Sequence, residues 1–226
     1  MTVRDYALKA LARQLGHPRG LFGRLVARGL NRGNRDMVAE AVDASGAGAG
    51  RVVADLGFGG GVGLGLLLDA TSPDGQVHGL DISEDMIAGA RRRYRGMVRS
   101  GRLVLHPVSG SSLPLPEGSL DALITVNTLY FVADLAPLVG EVARVLKPGA
   151  RLVIGVGDPD RMAEMPVTRQ GFRLRPVDAI VAEFEAVGLL AVEHRRLGPA
   201  DDEAHLLVAQ RPLSGPDQAS DSDSAS

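Results

Sequence analysis

The sequence of 226 residues contains no cysteine, and only two of its 25 basic side chains are lysines. The absence of cysteine excludes a disulfide framework and any metal site with thiolate ligands. No apolar stretch approaches the roughly 20 residues that a membrane-spanning helix needs. The first 20 residues also lack the apolar core and cleavage site of a signal peptide. We therefore expect a soluble cytoplasmic protein without a membrane partner.

The net charge is −2, but the basic side chains are concentrated in two segments. Residues 1–35 carry eight of them against one acid, and a second cluster covers 91–102. Such clusters can contact nucleic acid or an anionic substrate. The chain has only three tyrosines and five phenylalanines and no recognisable nucleic-acid module. Solvated helix faces therefore explain the arginines better, and we expect no nucleic-acid partner.

Hydrophobic periodicity predicts strands that alternate with helices of about ten residues. The predicted strands are "RVVADL", "QVHGLDI", "LVLHPV", "LDALITVN" and "RLVIGV". Two further strands, "LLAVEHRRL" and "AHLLVAQR", are joined by a short turn, so one of them must run antiparallel to its neighbours. This pattern is typical of an α/β fold with a doubly wound, mostly parallel seven-stranded sheet and a C-terminal antiparallel hairpin.

The sheet domain is expected over residues 46–212, and the segments on either side differ in composition. Residues 1–45 have the apolar spacing of helices and are predicted to form an N-terminal helical extension that caps the domain. Residues 213–226 have almost nothing apolar to bury and are predicted to be disordered.

The first predicted strand runs into a glycine-rich turn, which is typical of a backbone-lined ligand site. The dinucleotide fingerprint G-x-G-x-x-G requires a third glycine where this sequence has Val62, Leu64 or Leu66, so every register fails. The phosphate loop G-x-x-x-x-G-K-[ST] fails as well, because no lysine lies nearby. The sequence therefore lacks the fingerprint expected of a nicotinamide-dependent oxidoreductase.

The pattern that fits is D-x-G-x-G-x-G, formed by Asp55, Gly57, Gly59 and Gly61. An acid ahead of the glycines suits an ammonium or sulfonium group better than a phosphate. This motif resembles the first motif of the class I S-adenosylmethionine-dependent methyltransferases. The resemblance implies S-adenosylmethionine as the cofactor. It also implies that Asp81, 26 residues further on, binds both ribose hydroxyls.

The resemblance covers about 50–211, because "LPLPEGSLDALITVNTLYF" and "LVGEVARVLKPGARLVIG" are similar to later motifs of the family. It implies further cofactor contacts at Ile82, Met86, Ser109, Gly110 and Asn127. Ser109 stands where the family often has an acid that binds the adenine amino group. A hydroxyl accepts such a bond more weakly than a carboxylate does.

Three of these residues also have a plain structural explanation. Asp55 can be a cap or turn residue of the next helix, Asp81 can be a surface loop acid without a ligand, and Met86 can be a core side chain that borders the pocket. The sequence leaves these alternatives open.

The sulfonium methyl group is already activated, so holding the nucleophile in line at about 3 Å lowers much of the barrier. His17, in the N-terminal extension, is the candidate general base, although a histidine beside proline can be a turn residue. Tyr130 is a candidate pocket wall or hydrogen-bond donor, and a core aromatic is its alternative. Asn31 and Asn34 are further polar candidates. The other histidines lie in predicted strands, and no metal-ligand spacing is found on one helix, so no metal is expected.

The sequence favours a small-molecule acceptor, because it lacks the "NPPY"-type motif that marks methylation of planar amino groups in nucleic acids and proteins. Secondary metabolism is a plausible setting. The alternative is a protein that binds the cofactor without transferring methyl, either as a binding module or as a fold reused for another reaction. Whether oxygen, nitrogen or carbon is methylated stays open, as does the choice between monomer and homodimer.

Overall fold

The computed structural model describes residues 35–198 and 204–213. Residues 1–34 of the predicted N-terminal helical extension, with His17, Asn31 and Asn34, therefore lie outside the described residues. The elements are α1 (Arg35–Ser45), β1 (Val52–Leu56), α2 (Val62–Ala70), β2 (Gln76–Asp81), α3 (Glu84–Arg93), α4 (Arg95–Arg99), β3 (Leu103–Pro107), β4 (Leu120–Val126), a 3₁₀ turn (Leu129–Phe131), α5 (Leu135–Val145), β5 (Leu146–Gly157), α6 (Pro159–Glu164), α7 (Val177–Ala186), β6 (Leu190–Leu197) and β7 (Ala204–Gln210).

The seven strands of the described ranges form one sheet in the order β3-β2-β1-β4-β5-β7-β6. Strands β1 to β5 are parallel, whereas β7 lies between β5 and β6 and runs antiparallel to both. This confirms the predicted doubly wound sheet with its C-terminal antiparallel hairpin. Because parallel strands present their carboxyl ends at one edge, β1, β2 and β4 deliver their following loops to the same place.

Both faces of the sheet are covered by helices, so successive residues of one strand enter different cores. Val53 packs in the cluster that contains α1, α2 and α3, whereas Ala54 packs in the cluster that contains α5 and α7. Helix α1 contributes three buried side chains to the first cluster, namely Ala41, Val42 and Ala44. Burial on both faces explains why the central strands read as continuous hydrophobic runs.

Helix α3 begins as the sequence predicts. The Ser83 side chain accepts a hydrogen bond from the Met86 backbone N–H, which satisfies one of the free donors at the helix start. Glu84 and Asp85 occupy the first turn, and three arginines occupy the last. Both charge placements favour the helix dipole. The start of α3 is therefore fixed just beyond the end of β2.

At the amino edge of the sheet, one carboxylate connects three strands. Asp121, in β4, accepts from the Val52 N–H of β1 at 2.8 Å and from Lys147 Nζ of β5 at 2.9 Å. Partial burial raises the pKa of Asp121, but the bonds from Val52 and Lys147 outweigh burial and leave this pKa below its ordinary value. The charged form of Asp121 therefore stabilises the folded sheet.

Asp121→Asn should lower the free energy of unfolding at pH 7 by about 1 kcal/mol, because one charge-assisted bond is lost. The folded-state pKa lies below the unfolded one, so the carboxylate stabilises the protein above the unfolded pKa of about 3.9 and loses this effect as pH falls through the lower folded pKa. Urea unfolding at pH 7 and pH 3 measures both. Asp69→Asn, an exposed acid at the end of α2, is the control. An equal deficit at both pH values contradicts the ionic explanation.

Candidate cofactor site at the carboxyl edge of the sheet

The glycine turn between β1 and α2 has a backbone that side chains rarely allow. Gly57, Gly59 and Gly61 have φ values of 74°, 50° and 77°, in the left-handed region. A Cβ atom on Gly57 would also lie 2.2 Å from Thr128 Oγ1. Gly57 therefore needs to be glycine for its backbone angle and for its close approach to the segment after β4. The glycine spacing noted in the sequence reflects this geometry.

Asp81, the last residue of β2, links the glycine turn to the start of α3. Its Oδ2 accepts from the Gly59 N–H at 2.8 Å, and its Oδ1 accepts from the Ser83 N–H at 2.8 Å. Asp81 is only 5% exposed, whereas the alternative explanation of a surface loop acid requires an exposed side chain. Two backbone donors hold the carboxylate at the edge where β1 and β2 end.

Asp55, near the end of β1, is also 5% exposed. A Cβ atom on Gly63, in the first turn of α2, would lie 2.2 Å from Asp55 Oδ2, so this helix packs directly against the carboxyl group. The N-cap of α2 is Gly61 rather than Asp55. Burial, with a further contribution from the charge of Asp81, raises the pKa of Asp55 to about 8. A cation placed beside Asp55 would favour its ionised form.

Tyr94 holds the glycine turn from the α3 side, a role that the sequence did not reveal. Its hydroxyl donates to the Gly61 carbonyl at 2.8 Å, and the same hydroxyl lies 3.0 Å from the position of a Cβ on Gly65. The Arg93 guanidinium lies 5.2 Å from the Tyr94 ring centroid. The only hint of this role in the sequence is that Tyr94 is the one aromatic residue within the arginine cluster 91–102.

The other predicted cofactor contacts differ in their accessibility. Met86 is buried among the side chains of the core, which agrees with its structural alternative. Ile82 is 49% exposed directly after Asp81. Ser109 and Gly110 are exposed in the loop that follows β3. Ile82, Ser109 and Gly110 thus offer free surface at the carboxyl edge, and their contacts with a ligand stay predictions.

The segment after β4 brings Asn127 and Tyr130 together. Asn127 has a φ of 55°, and its N–H donates to the Gly155 carbonyl at 2.8 Å. Tyr130 is 6% exposed, accepts from the Gly157 N–H and donates to Asn127 Oδ1 at 3.1 Å. Burial raises the pKa of its phenol. Tyr130 is therefore a core aromatic whose hydroxyl is engaged on both sides, and a catalytic role would require one of these bonds to break.

Arg175 is a second contributor that sequence reasoning missed. Its guanidinium donates to the Leu129 carbonyl at 2.9 Å and to the Val132 carbonyl at 2.6 Å. These bonds fix the 3₁₀ turn that carries Tyr130. No spacing motif marks such a contact, because the partners are backbone carbonyls about 45 residues away.

The strand histidines pair with one another rather than with the site. His78 lies 2.9 Å from His106, and His205 bridges His194 at 2.8 Å and Asp158 at 3.1 Å. Over 35–198 and 204–213, no group of three or more His, Asp or Glu side chains is arranged to hold a metal ion, and no helix is long and apolar enough to cross a membrane. The described histidines therefore have structural partners.

Asp55→Asn should stabilise the ligand-free protein increasingly as pH rises from 5 to 8. The folded-state pKa of about 8 lies above the unfolded value, so in this window the unfolded chain is ionised while the folded chain retains its proton. Wild-type stability therefore falls with rising pH and levels off above about 8. Thermal unfolding at pH 5, 6, 7 and 8 measures the difference, with Asp121→Asn as the control that shows no such growth. Parallel curves for wild type and Asp55→Asn would contradict the raised pKa.

Comparison with known proteins agrees with this geometry. A family model described as a methyltransferase domain matches residues 54–154, from the end of β1 into β5. A probable S-adenosylmethionine-dependent methyltransferase of Mycolicibacterium smegmatis is 36% identical over 119 residues, which are 52% of this chain and 42% of the relative. An O-methyltransferase of Pyrenophora dematioidea is 32% identical over 101 residues, 42% of this chain and 38% of the relative. The chain spans less than half the length of the curated relatives it matches.

The fold agrees as well. The crystal structure of an S-adenosylmethionine-dependent methyltransferase from Aquifex aeolicus superposes with a TM-score of 0.70 at 18% identity, covering 83% of this chain and 97% of that one. At this identity the likeness concerns the fold alone. The matched domain, the related sequences and the shared sheet lead to one conclusion: residues 54–154 are similar to the methyltransferase domain of S-adenosylmethionine-dependent enzymes and have the fold of such an enzyme.

Proposed function

We propose that this chain binds S-adenosylmethionine at the carboxyl edge of the sheet and transfers its methyl group to a small-molecule acceptor. The observation that carries the proposal is the pair of buried carboxylates, Asp55 and Asp81, on either side of the glycine turn. A phosphate would be repelled by the charge of Asp81 and would oppose the ionisation of Asp55. A ligand that combines neutral hydroxyls with a positive charge suits both.

The described residues fit this cofactor. Asp81 uses one oxygen for the Gly59 N–H and the other for the Ser83 N–H. An ionised carboxylate has about four lone-pair sites, so it can accept from ribose hydroxyls as well as from backbone donors. Asp55 retains a proton near neutral pH and becomes a counter-ion when an ammonium or sulfonium group lies beside it. The exposed Ile82, Ser109 and Gly110 would border the adenine.

The bound cofactor supplies an activated methyl group for in-line displacement. The work of the chain is to hold that group in line with the acceptor at about 3 Å and to exclude water. The glycine turn is fixed by hydrogen bonds to Tyr94 and Asp81, so it would form a rigid binding surface for the cofactor. A base is needed only for an acceptor that would otherwise stay protonated. His17 is our candidate for that role. Residues 1–45 were predicted as the cap, but α1 packs in the core, so the remaining residues 1–34 are our candidate cover of the pocket.

The small-molecule acceptor is supported by two observations. The sequence lacks the motif that marks methylation of planar amino groups, and one relative is named an O-methyltransferase. Secondary metabolism is a setting that such an acceptor suggests. The competing function is cofactor binding without methyl transfer, since intact Asp55, Gly57 and Asp81 argue for binding alone.

A labelled-methyl assay separates these functions. The full chain is incubated with methyl-labelled S-adenosylmethionine and a panel of phenols, carboxylic acids, amines and acidic carbon compounds. We expect label in an organic product and stoichiometric release of S-adenosylhomocysteine, with both slowed in Asp81→Ala when the cofactor is below its dissociation constant. Tight cofactor binding without transfer to any acceptor would favour the binding function. Tight binding of NADH in a calorimetric titration would overturn both.

Asp81→Ala should raise the dissociation constant for S-adenosylmethionine about tenfold or more, because charge-assisted bonds of about 1.5–3 kcal/mol are lost. Isothermal titration calorimetry measures the change, and circular dichroism checks that the fold is retained. Asp74→Ala removes an equal charge from the exposed turn between α2 and β2 and serves as the matched control. An affinity equal to that of the control would mean that Asp81 is not a cofactor ligand.

A further inference from the structure

A chain of three hydrogen-bonding groups connects the ends of β4 and β5. The backbone N–H of Gly157 points at the Tyr130 oxygen, and this oxygen lies 3.1 Å from the Asn127 side chain. A backbone N–H can only donate, so the phenol oxygen accepts there. The phenol hydrogen is then available to Asn127, which must present its carbonyl oxygen, Oδ1, to receive it.

This series of hydrogen bonds fixes which end of the Asn127 amide points away from Tyr130. If the amide were reversed, two donors would meet at the phenol oxygen and the phenol hydrogen would have no acceptor in this chain. The NH₂ group of Asn127 is therefore the outward group. Among residues 35–198 and 204–213 it has no hydrogen-bond partner, and Asn127 is half-buried. Two donors are thus presented at the carboxyl end of β4.

The position of these donors relates them to the glycine turn. Asn127 immediately precedes Thr128, whose side chain fills the space over Gly57. The backbone of Asn127 is held at its positive φ by the bond from its N–H to the Gly155 carbonyl. The amide therefore has a fixed backbone, a fixed orientation and a location beside the turn that follows Asp55.

We infer that Tyr130 is a positioning residue that aims the Asn127 NH₂ group at the carboxylate of the cofactor's methionine end. This inference rests on the proposed function. The methionine end carries an ammonium and a carboxylate, and a site for both needs an acid and a donor close together. Asp55 supplies the acid. An amide NH₂ can donate to a carboxylate and cannot accept from an ammonium, so its orientation selects the carboxylate.

Calorimetric titration with two probes tests this inference on the full chain. S-adenosylhomocysteine has the amino-acid end, whereas 5′-methylthioadenosine has the same nucleoside and sulfur without it. Asn127→Asp should weaken S-adenosylhomocysteine binding about tenfold or more, because a donor becomes a like charge. Asn127→Gly, which tolerates the positive φ, and Tyr130→Phe, which frees the amide to turn, should each weaken it about two- to tenfold. Affinity for 5′-methylthioadenosine should stay within twofold of wild type.

A double-mutant cycle separates positioning from packing. Tyr130→Phe should have no further effect on the ratio of the two affinities in the Asn127→Gly background, because the group it positions is gone. Equal losses for both probes would indicate a structural role and overturn the inference, as would an unchanged S-adenosylhomocysteine affinity in Asn127→Asp. If the wild type bound neither probe, the proposed function itself would fail, a result that differs from every other outcome.

Discussion

Two carboxyl groups buried side by side at the carboxyl edge of a parallel sheet are the constraint on which this site depends. Asp55 and Asp81 cannot both carry a charge there without compensation. Asp81 is compensated by two backbone N–H groups, from Gly59 and Ser83. Asp55 is not compensated in that way, and its pKa of about 8 expresses the cost of ionising it. A ligand that brings a positive charge to Asp55 and hydroxyls to Asp81 would relieve this constraint, which supports the proposal of a sulfonium nucleoside rather than a phosphate.

The rest of the fold keeps these groups in place from outside the pocket. At the amino edge, Asp121 connects β1, β4 and β5. At the carboxyl edge, two tyrosine hydroxyls fix the loops. Tyr94 binds the glycine turn, and Tyr130 binds the ends of β4 and β5. Tyr94 and Tyr130 thus set the shape of the site through hydrogen bonds to backbone groups. We assign the ligand contacts themselves to other residues. Under the proposed function, such preorganisation would hold the methyl group of the cofactor in a fixed position.

Much of the fold could be predicted from the sequence because periodicity and glycine chemistry are local. The hydrophobic runs indicated strands, the two terminal runs indicated a hairpin, and Ser83 with two acids marked the start of α3. The acid and alternate glycines from Asp55 to Gly61 carried the resemblance that implies the cofactor. Arg175 could not be predicted, because its partners are backbone carbonyls distant in the chain and leave no pattern in the sequence. For Tyr94 the sequence offered only its place as the one aromatic residue of the arginine cluster, which does not identify the Gly61 carbonyl as its partner.

By itself, then, the sequence determined the sheet, the glycine turn and the presence of two acids at its edge, since each follows from residue types at short separations. Only the tertiary structure decided the protonation of Asp55, because the pKa depends on burial and on Asp81 across the strand pair. It also decided the orientation of the Asn127 amide. That orientation is set by Gly157, thirty residues away, whose N–H donates to the Tyr130 hydroxyl that in turn donates to Asn127.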